Sequence, residues 1–199
     1  MLSIDKITEI LQPLYELIKD KCYGFLLCGS SSLPWIKNKH DYDVAIIFKS
    51  KLHRHEIDSD KDVRLQFNNL KKELNVKYSI SLLSRFEDSL INRAWNYQNH
   101  YFQVLIGDIP FDYSYDIFNR EYVNILKSNF EYVSNEYQDK NQIPKFLYHI
   151  LTGIYMIQNN SYELTEEQIE NINIVHDMED KEKIEELFNY CKEWLNNHE

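Results

Sequence analysis

The sequence predicts a small mixed sheet of the α/β (α+β) type with flanking helices, followed by a helical C-terminal domain. Two short runs that are apolar except for Asp43 at the start of the second, residues 24–28 and 43–48, lie among polar segments and have the length of buried strands. Apolar residues before and after these runs recur at helical spacing. Beyond residue 117 the pattern is helical to the end of the chain. We therefore expect an α/β domain over residues 1–117 and a helical domain over residues 118–199.

Helices and strands alternate in the predicted α/β domain. Ser3 is placed to cap a first helix, which its apolar spacing carries to Ile18. After its first residue, Asp43, the strand predicted at 43–48 is apolar without interruption, which is typical of a central strand covered on both faces. The other elements expected here are a strand at 24–28, a helix at 62–74, a strand at 76–83, a helix at 86–95 and a hairpin within 101–115 that turns at Gly107-Asp108. The helices expected beyond this domain lie at 121–137, 143–158, 165–174 and 180–196.

Charge and composition restrict the classes of function. The chain has 199 residues, with 22 Lys and Arg against 32 Asp and Glu, and a formal net charge of −10. Such a charge opposes a broad electrostatic grip on nucleic acid or on an anionic membrane. No apolar run approaches the ~20 residues that span a bilayer, and the acidic N-terminal segment lacks the apolar core of a signal peptide. Three cysteines, an odd number, fit reduced thiols, so we expect a cytoplasmic protein with no membrane partner.

A Gly-Ser turn and an Asp-x-Asp pair frame the polar loop between the two apolar runs. Gly29 and Ser30 follow the first run, and Asp41 and Asp43 enter the second. Side chains alternate in a strand, so the two carboxylates point the same way and repel each other unless a divalent cation joins them. Oxygen ligands suit Mg²⁺ or Mn²⁺, which also bind phosphates, and a glycine turn presents backbone N–H groups to phosphate. The two motifs together therefore indicate phosphoryl or nucleotidyl transfer.

The order and spacing of these motifs resemble a known signature. Gly29-Ser30, ten intervening residues, Asp41-Tyr42-Asp43 and the apolar run after them are similar to the signature of the DNA polymerase beta-like nucleotidyltransferase superfamily. The interval and the Asp-Tyr-Asp ending are most similar to the RNA repair pathway DNA polymerase beta family, a family of predicted nucleotidyltransferases. The segment from Lys145 to Leu195 resembles the helical tail of that family. The resemblance implies a nucleotidyltransferase fold that binds ATP or another NTP and transfers a nucleoside monophosphate to a hydroxyl, releasing pyrophosphate.

The resemblance also implies a third carboxylate, and the chain departs from the pattern here. On the predicted strand at 76–83, the positions where an acid would stand hold Lys77, Ser79 and Ser81. Asp112 is the alternative, because the returning limb of the predicted hairpin resembles the superfamily strand that carries the third acid. The expected catalytic and metal-binding residues are Asp41, Asp43 and Asp112.

The resemblance assigns a role to each candidate. Asp41 and Asp43 would hold the metal that bridges the nucleotide phosphates, and Asp112 a second metal that lowers the pKa of the attacking hydroxyl. Ser30 and the backbone amides around Ser31 would orient the terminal phosphates. Lys37 or Lys39 of the loop would be a further phosphate ligand, and the resemblance implies that Lys145 and His149 face the nucleotide. The expected nucleotide-binding residues are thus Gly29, Ser30, Ser31, Lys37, Lys145 and His149.

The sequence leaves the acceptor and the oligomeric state open. The name of the resembled family suggests an RNA end as acceptor, whereas the net charge of −10 speaks against it and leaves a small molecule or a protein side chain. One rival is a toxin–antitoxin-type nucleotidyltransferase that modifies tRNA or a protein. Another is a catalytically degenerate protein of the same fold that binds a nucleotide or a partner, a reading that Ser79 and Ser81 favour.

Overall fold

In the computed structural model of the chain, the described residues are 2–37, 41–86, 100–109, 117–118, 120–136 and 143–198. Their helices are α1 (Ile4–Ile18), α2 (Lys51–Ser59), α3 (Lys61–Tyr78), α4 (Arg120–Glu136), α5 (Ile143–Asn159), α6 (Glu166–His176) and α7 (Lys181–Asn197). Their strands are β1 (Cys22–Cys28), β2 (Tyr42–Phe48), β3 (Ile80–Phe86) and β4 (Gln103–Gly107).

These elements fall into two units. The first contains Met1–Pro34, Asn38–Ile91 and Tyr101–Tyr113, and the second contains Trp35–Lys37, Asn92–His100 and Ser114–Glu199. The boundary at residue 117 stays a prediction. All four described strands lie in the first unit, and helices α4 to α7 lie in the second.

The strands of the first unit form one mixed sheet in the order β3-β2-β1-β4. Strand β1 pairs antiparallel with both β2 and β4, whereas β2 and β3 run parallel. The predicted fold class is confirmed, and so is the central position of the strand predicted at 43–48, because β2 lies between β1 and β3. The end of β1 and the start of β2 lie side by side, since Cys28 is opposite Asp43 in the ladder.

The two faces of the sheet differ in what covers them. On one face, alternate residues of β2 from Tyr42 to Phe48 join a large core with apolar residues of α1 and α3, including Leu11 and Phe67. On the other face, Ala45 and Ile47 of β2 join a smaller cluster with residues of β1 and β3 and with Phe102 and Ile109, which flank β4. Alternation along β2 puts the side chain of Asp43 on this second face. The larger core therefore covers one face of the sheet, and Asp43 lies on the other face.

Local capping explains where the helices of the first unit begin. Ser3 accepts a hydrogen bond from the Lys6 amide and caps α1, as predicted. Ser50 caps α2 in the same way. Helix α2 was not expected from the sequence, because its residues are almost all polar and Ile57 alone is buried among them.

The predicted start of the strand at 76–83 is wrong. Helix α3 continues to Tyr78, and β3 begins at Ile80. The apolar Val76, which suggested a strand, is 74% exposed on the last turn of the helix. Ser79 ends α3 in a left-handed conformation with φ of 54°, where its amide donates to the carbonyl groups of Leu74 and Asn75.

The predicted hairpin at 101–115 lies only partly within the described residues. Its first limb is β4, which pairs with β1, and Gly107 ends it with φ of 89°. The returning limb, residues 110–116, lies outside the described residues, as does nearly all of the helix predicted at 86–95.

The second unit is helical in its described residues, as predicted. Helix α5 packs against α4, α6 and α7, and the apolar residues of its buried side include Leu147, Leu151 and Ile154. A capping box fixes the start of α6, where Thr165 and Gln168 exchange hydrogen bonds between side chain and backbone. Among the helices that the structure describes, none combines the length and the apolar content that a membrane crossing requires.

Candidate active site

The bend after β1 contacts the first residues of β2. A 3-10 turn at Gly29–Ser32 follows Cys28 directly, and Gly29 has φ of 66°, a conformation that favours glycine. A Cβ atom on Gly29 would lie 2.3 Å from Oδ2 of Asp43 and 3.1 Å from its Cγ. The missing side chain of Gly29 therefore makes the space in which the Asp43 carboxylate lies against the bend.

The three serines of the bend have different roles. Ser31 is buried, and its hydroxyl donates to the Cys28 carbonyl at 2.7 Å and accepts from the Asp43 amide at 3.3 Å. Ser32 is also buried and donates to the Gly29 carbonyl. Ser30 is partly exposed, and no other described residue bonds to its hydroxyl. Of the two predicted phosphate-binding serines, Ser31 thus ties the bend to β2, and Ser30 has a hydroxyl available to a ligand.

The two acids of the Asp-x-Asp pair lie at the end of the sheet where β2 begins and β1 ends. Asp41 is exposed and precedes the strand, and Asp43 is partly buried within it. Tyr42 between them faces the larger core and donates its amide to the Ser79 carbonyl at 2.8 Å. The backbone around the pair is therefore fixed on both sides, by β1 through Asp43 and by the end of α3 through Tyr42.

The third acid is not present on β3. Lys77 belongs to α3 and Ser79 to its cap, so Ser81 is the one of the three predicted positions that lies on the strand. Ser81 is directly opposite Asp43 in the parallel ladder. Asp112 lies outside the described residues, and its role stays a prediction.

The donor atoms suit a hard cation. Within the described residues, no group of three or more His, Cys, Asp and Glu side chains lies together as a complete metal site. Mg²⁺ is commonly bound by one or two carboxylates together with substrate phosphates and waters. The pair Asp41 and Asp43 provides two carboxylates at the start of β2, a number that such a ligand set can use.

One charged residue on the same face of the sheet as Asp43, Arg85, was not singled out in the sequence. Burial raises the pKa of the Cys28 thiol to about 12, the negative charge of Asp43 acts in the same direction, and the positive charge of Arg85 opposes both. Arg85 lies on β3, two residues beyond the predicted end of that strand at 83. Extending the alternation of Ser81 and Leu83 by one step would have placed it on the face that carries Asp43.

The remaining predicted ligands lie in the second unit. Lys37 is exposed, and its backbone amide donates to Oδ1 of Asn173 at 2.9 Å. Lys145 and His149 are both on α5. The centroids of the His149 and Tyr148 rings are 3.9 Å apart. Burial, with a smaller contribution from His176, lowers the pKa of His149 to about 3. The contact of these three residues with a nucleotide stays a prediction.

Comparison with solved structures bears on the fold. The chain is similar to the crystal structure of spectinomycin adenyltransferase AAD(9) from Enterococcus faecialis with ATP and spectinomycin, with a TM-score of 0.58 and 14% sequence identity. The match covers 97% of this chain and 98% of that chain. No protein-family model matches the sequence, and no curated protein matches it. The chain therefore has the fold of this nucleotidyltransferase over nearly its whole length.

Proposed function

We propose that the chain is a metal-dependent nucleotidyltransferase that transfers a nucleoside monophosphate from an NTP to a hydroxyl acceptor and releases pyrophosphate. The observation that carries the proposal is the fit of Gly29 against the Asp43 carboxylate, which joins the glycine bend to the acid pair. A phosphate-binding turn and a carboxylate pair at one edge of a sheet are what this chemistry requires. The solved adenyltransferase that shares the fold was crystallised with ATP, which makes ATP the first donor to test.

Each described residue of the site has a part in the proposed reaction. Ser30 donates its hydroxyl to the terminal phosphates, which hold the α-phosphorus in line with the acceptor. Asp41 and Asp43 would hold Mg²⁺, which would neutralise charge on the phosphates when bound. The acceptor oxygen forms a bond to the α-phosphorus as the bond to the pyrophosphate oxygen breaks. The proton of the acceptor passes to a carboxylate, for which we propose Asp112.

A small molecule is the acceptor that we propose to test before RNA. Spectinomycin, present in the solved adenyltransferase, is a small molecule, and the net charge of −10 does not favour a polyanion. A protein or tRNA acceptor, as in a toxin–antitoxin system, is the next candidate.

The second candidate function is nucleotide binding without transfer. It is favoured by Ser81, which lies opposite Asp43 where a third carboxylate would complete the site. Without a carboxylate base the acceptor hydroxyl keeps its proton, and general-base catalysis contributes roughly 10²–10⁴-fold to such reactions.

The test is transfer of label from α-labelled ATP with Mg²⁺ to a panel of small hydroxylated compounds, to tRNA and to protein, together with pyrophosphate release. Asp43→Asn keeps the shape of the side chain and removes its charge, so we expect transfer to fall at least about 100-fold. Asp20→Asn is the matched control, because Asp20 is an exposed acid of the same unit outside the site.

Transfer that survives Asp43→Asn would remove the proposed mechanism. Binding of ATP without transfer to any acceptor in the panel would favour the second candidate. Wild-type transfer that is lost in Asp43→Asn and retained in Asp20→Asn supports the first.

A further inference from the structure

The hydroxyl group of Ser31 lies between the end of β1 and the start of β2. It donates a hydrogen bond to the carbonyl oxygen of Cys28 at 2.7 Å and accepts one from the amide of Asp43 at 3.3 Å. Cys28 and Asp43 are opposite each other in the antiparallel ladder. The hydroxyl therefore joins the two strands at the residue pair that contains the proposed metal ligand.

Side chains contact both polar groups of the Asp43 backbone. Its amide donates to the hydroxyl of Ser31, and its carbonyl oxygen accepts from the thiol of Cys28 at 3.4 Å. The Asp43 carboxylate lies against Gly29, where a Cβ atom would be 2.3 Å from Oδ2. Because a thiol is a weak donor, the hydroxyl of Ser31 makes the stronger of the two backbone contacts.

Ser32 provides a comparison within the same bend. It is buried like Ser31, with 3% of its surface exposed against 5%, and its hydroxyl donates to the carbonyl oxygen of Gly29 at 2.9 Å. Each of the two serines thus bonds to the carbonyl group three residues before it. Within the part of the chain that the structure describes, Ser31 also bonds to β2 and Ser32 does not. The additional bond of Ser31 therefore connects the bend to Asp43.

We propose that Ser31 is a positioning residue of the proposed reaction, whose hydroxyl fixes the Asp43 backbone so that the carboxylate lies where it would hold the metal. The proposal rests on the proposed function, because it concerns a ligand of the same site. Mg²⁺ requires near-ideal octahedral geometry, with its oxygen ligands at about 2.0–2.1 Å, so a small displacement of a carboxylate weakens binding. Groups that orient metal ligands through hydrogen bonds typically contribute roughly 10- to 100-fold to metal affinity or activity. The role concerns the hydroxyl, and contact of the Ser31 amide with phosphate stays a separate prediction.

Binding of Mn²⁺ in the presence of α,β-methylene ATP, measured by electron paramagnetic resonance, tests the proposal without requiring turnover. We expect Ser31→Ala to raise the dissociation constant of Mn²⁺ roughly 10-fold or more and to speed hydrogen exchange at the Asp43 amide. Ser31→Thr keeps the hydroxyl, so its Mn²⁺ affinity should stay within about threefold of wild type. Urea unfolding shows whether each variant is folded under the conditions of the binding experiment.

Ser32→Ala is the matched control for Ser31→Ala. It removes a hydroxyl that is equally buried and bonds to the backbone in the same way, but that has no bond to Asp43 among the described residues. We expect its Mn²⁺ affinity and its exchange at the Asp43 amide to stay within about threefold of wild type. A role of the serines in the stability of the bend alone would instead affect both variants alike.

The outcomes separate this proposal from the proposed function. Mn²⁺ affinity or Asp43 exchange that is unchanged in Ser31→Ala, or changed as much in Ser32→Ala, overturns the role of Ser31 alone. A Ser31→Thr variant that binds Mn²⁺ as weakly as Ser31→Ala also overturns it, because the hydroxyl would then not be the group that matters. A wild-type chain that binds neither Mn²⁺ nor the analogue and transfers no label overturns the proposed function and this role with it. Weaker Mn²⁺ binding and faster exchange at Asp43 that are confined to Ser31→Ala support Ser31 as the positioning residue.

Discussion

The two units differ in the surroundings of one titratable side chain each, Asp43 in the first and His149 in the second. In the first, Asp43 is a partly buried acid at the start of a strand, and a glycine without a side chain leaves room for it. In the second, His149 lies on a packed helix with its ring against that of Tyr148, and burial holds it in the neutral form. The first arrangement holds a carboxylate against a glycine bend, whereas the second packs a histidine ring against another ring of the protein.

This difference shows why a motif with fixed spacing is informative and a lone histidine is not. A glycine bend and an acid pair on adjacent strands are brought together by the ladder itself, through the pairing of Cys28 with Asp43. A histidine on an apolar helix serves packing equally well, because a neutral imidazole can be buried at modest cost. The contrast can be tested by disturbing each setting in turn.

Among the variants that test this contrast, the largest effect is expected from Gly29→Ala. The left-handed conformation costs a residue with a side chain about 1–2 kcal/mol, and the new Cβ would displace the Asp43 carboxylate. Displacement of a catalytic group by about 1 Å can cost roughly 100-fold in rate, so we expect transfer to fall by that factor in protein that is still folded. Label transfer and urea unfolding measure the two effects separately.

The double variant Gly29→Ala/Asp43→Asn provides the control for Gly29. If the alanine acts by displacing Asp43, the double variant transfers no more slowly than Asp43→Asn alone. Losses that multiply would show instead that Gly29 and Asp43 act independently, and the contact between them would then have no functional meaning.

The next largest effect is expected from His149, and it concerns the pH dependence of the free energy of unfolding. Its pKa is about 3 in the folded chain and about 6.5 when unfolded, so between these values the unfolded chain binds a proton that the folded chain does not. Stability should therefore fall as the pH falls through this window, by roughly 2 kcal/mol from pH 7 to pH 5. The His149→Gln variant has no imidazole to protonate at this position. Its free energy of unfolding should therefore fall by about that amount less than that of wild type over the same pH range.

Urea unfolding at pH 7 and pH 5 measures the His149 effect. His55→Gln is the control, because His55 is exposed on α2 of the first unit. An acid dependence that is the same in wild type and His149→Gln would mean that His149 is accessible to protons, and the contrast between the units would disappear.

The strands and the bend could be predicted because their signals are local. An apolar run, a glycine and acids at short intervals specify β1, the bend and β2 without knowledge of distant contacts. The third strand was placed too early, because Val76 is apolar and yet exposed on the last turn of α3, where the cap at Ser79 decides the boundary. Because the predicted strand ended at residue 83, Arg85 was not recognised as part of it. Helix α2 was missed because one buried residue, Ile57, carries too weak a periodic signal.

The smallest effect is expected from Ser79→Gly, which changes the edge of the site without touching the acids. Ser79 has φ of 54°, and glycine adopts this conformation without a steric penalty, so we expect a gain of about 0.5–1 kcal/mol in the free energy of unfolding. Ser79→Ala keeps the penalty and removes only the hydroxyl, and it should leave stability near that of wild type. Because only the backbone carbonyl of Ser79 bonds to Tyr42, both variants should transfer label within about twofold of wild type, an effect of under 0.5 kcal/mol. Loss of transfer in both would instead assign the Ser79 hydroxyl to the reaction, and the polar residue at this position would then act where the third acid was expected.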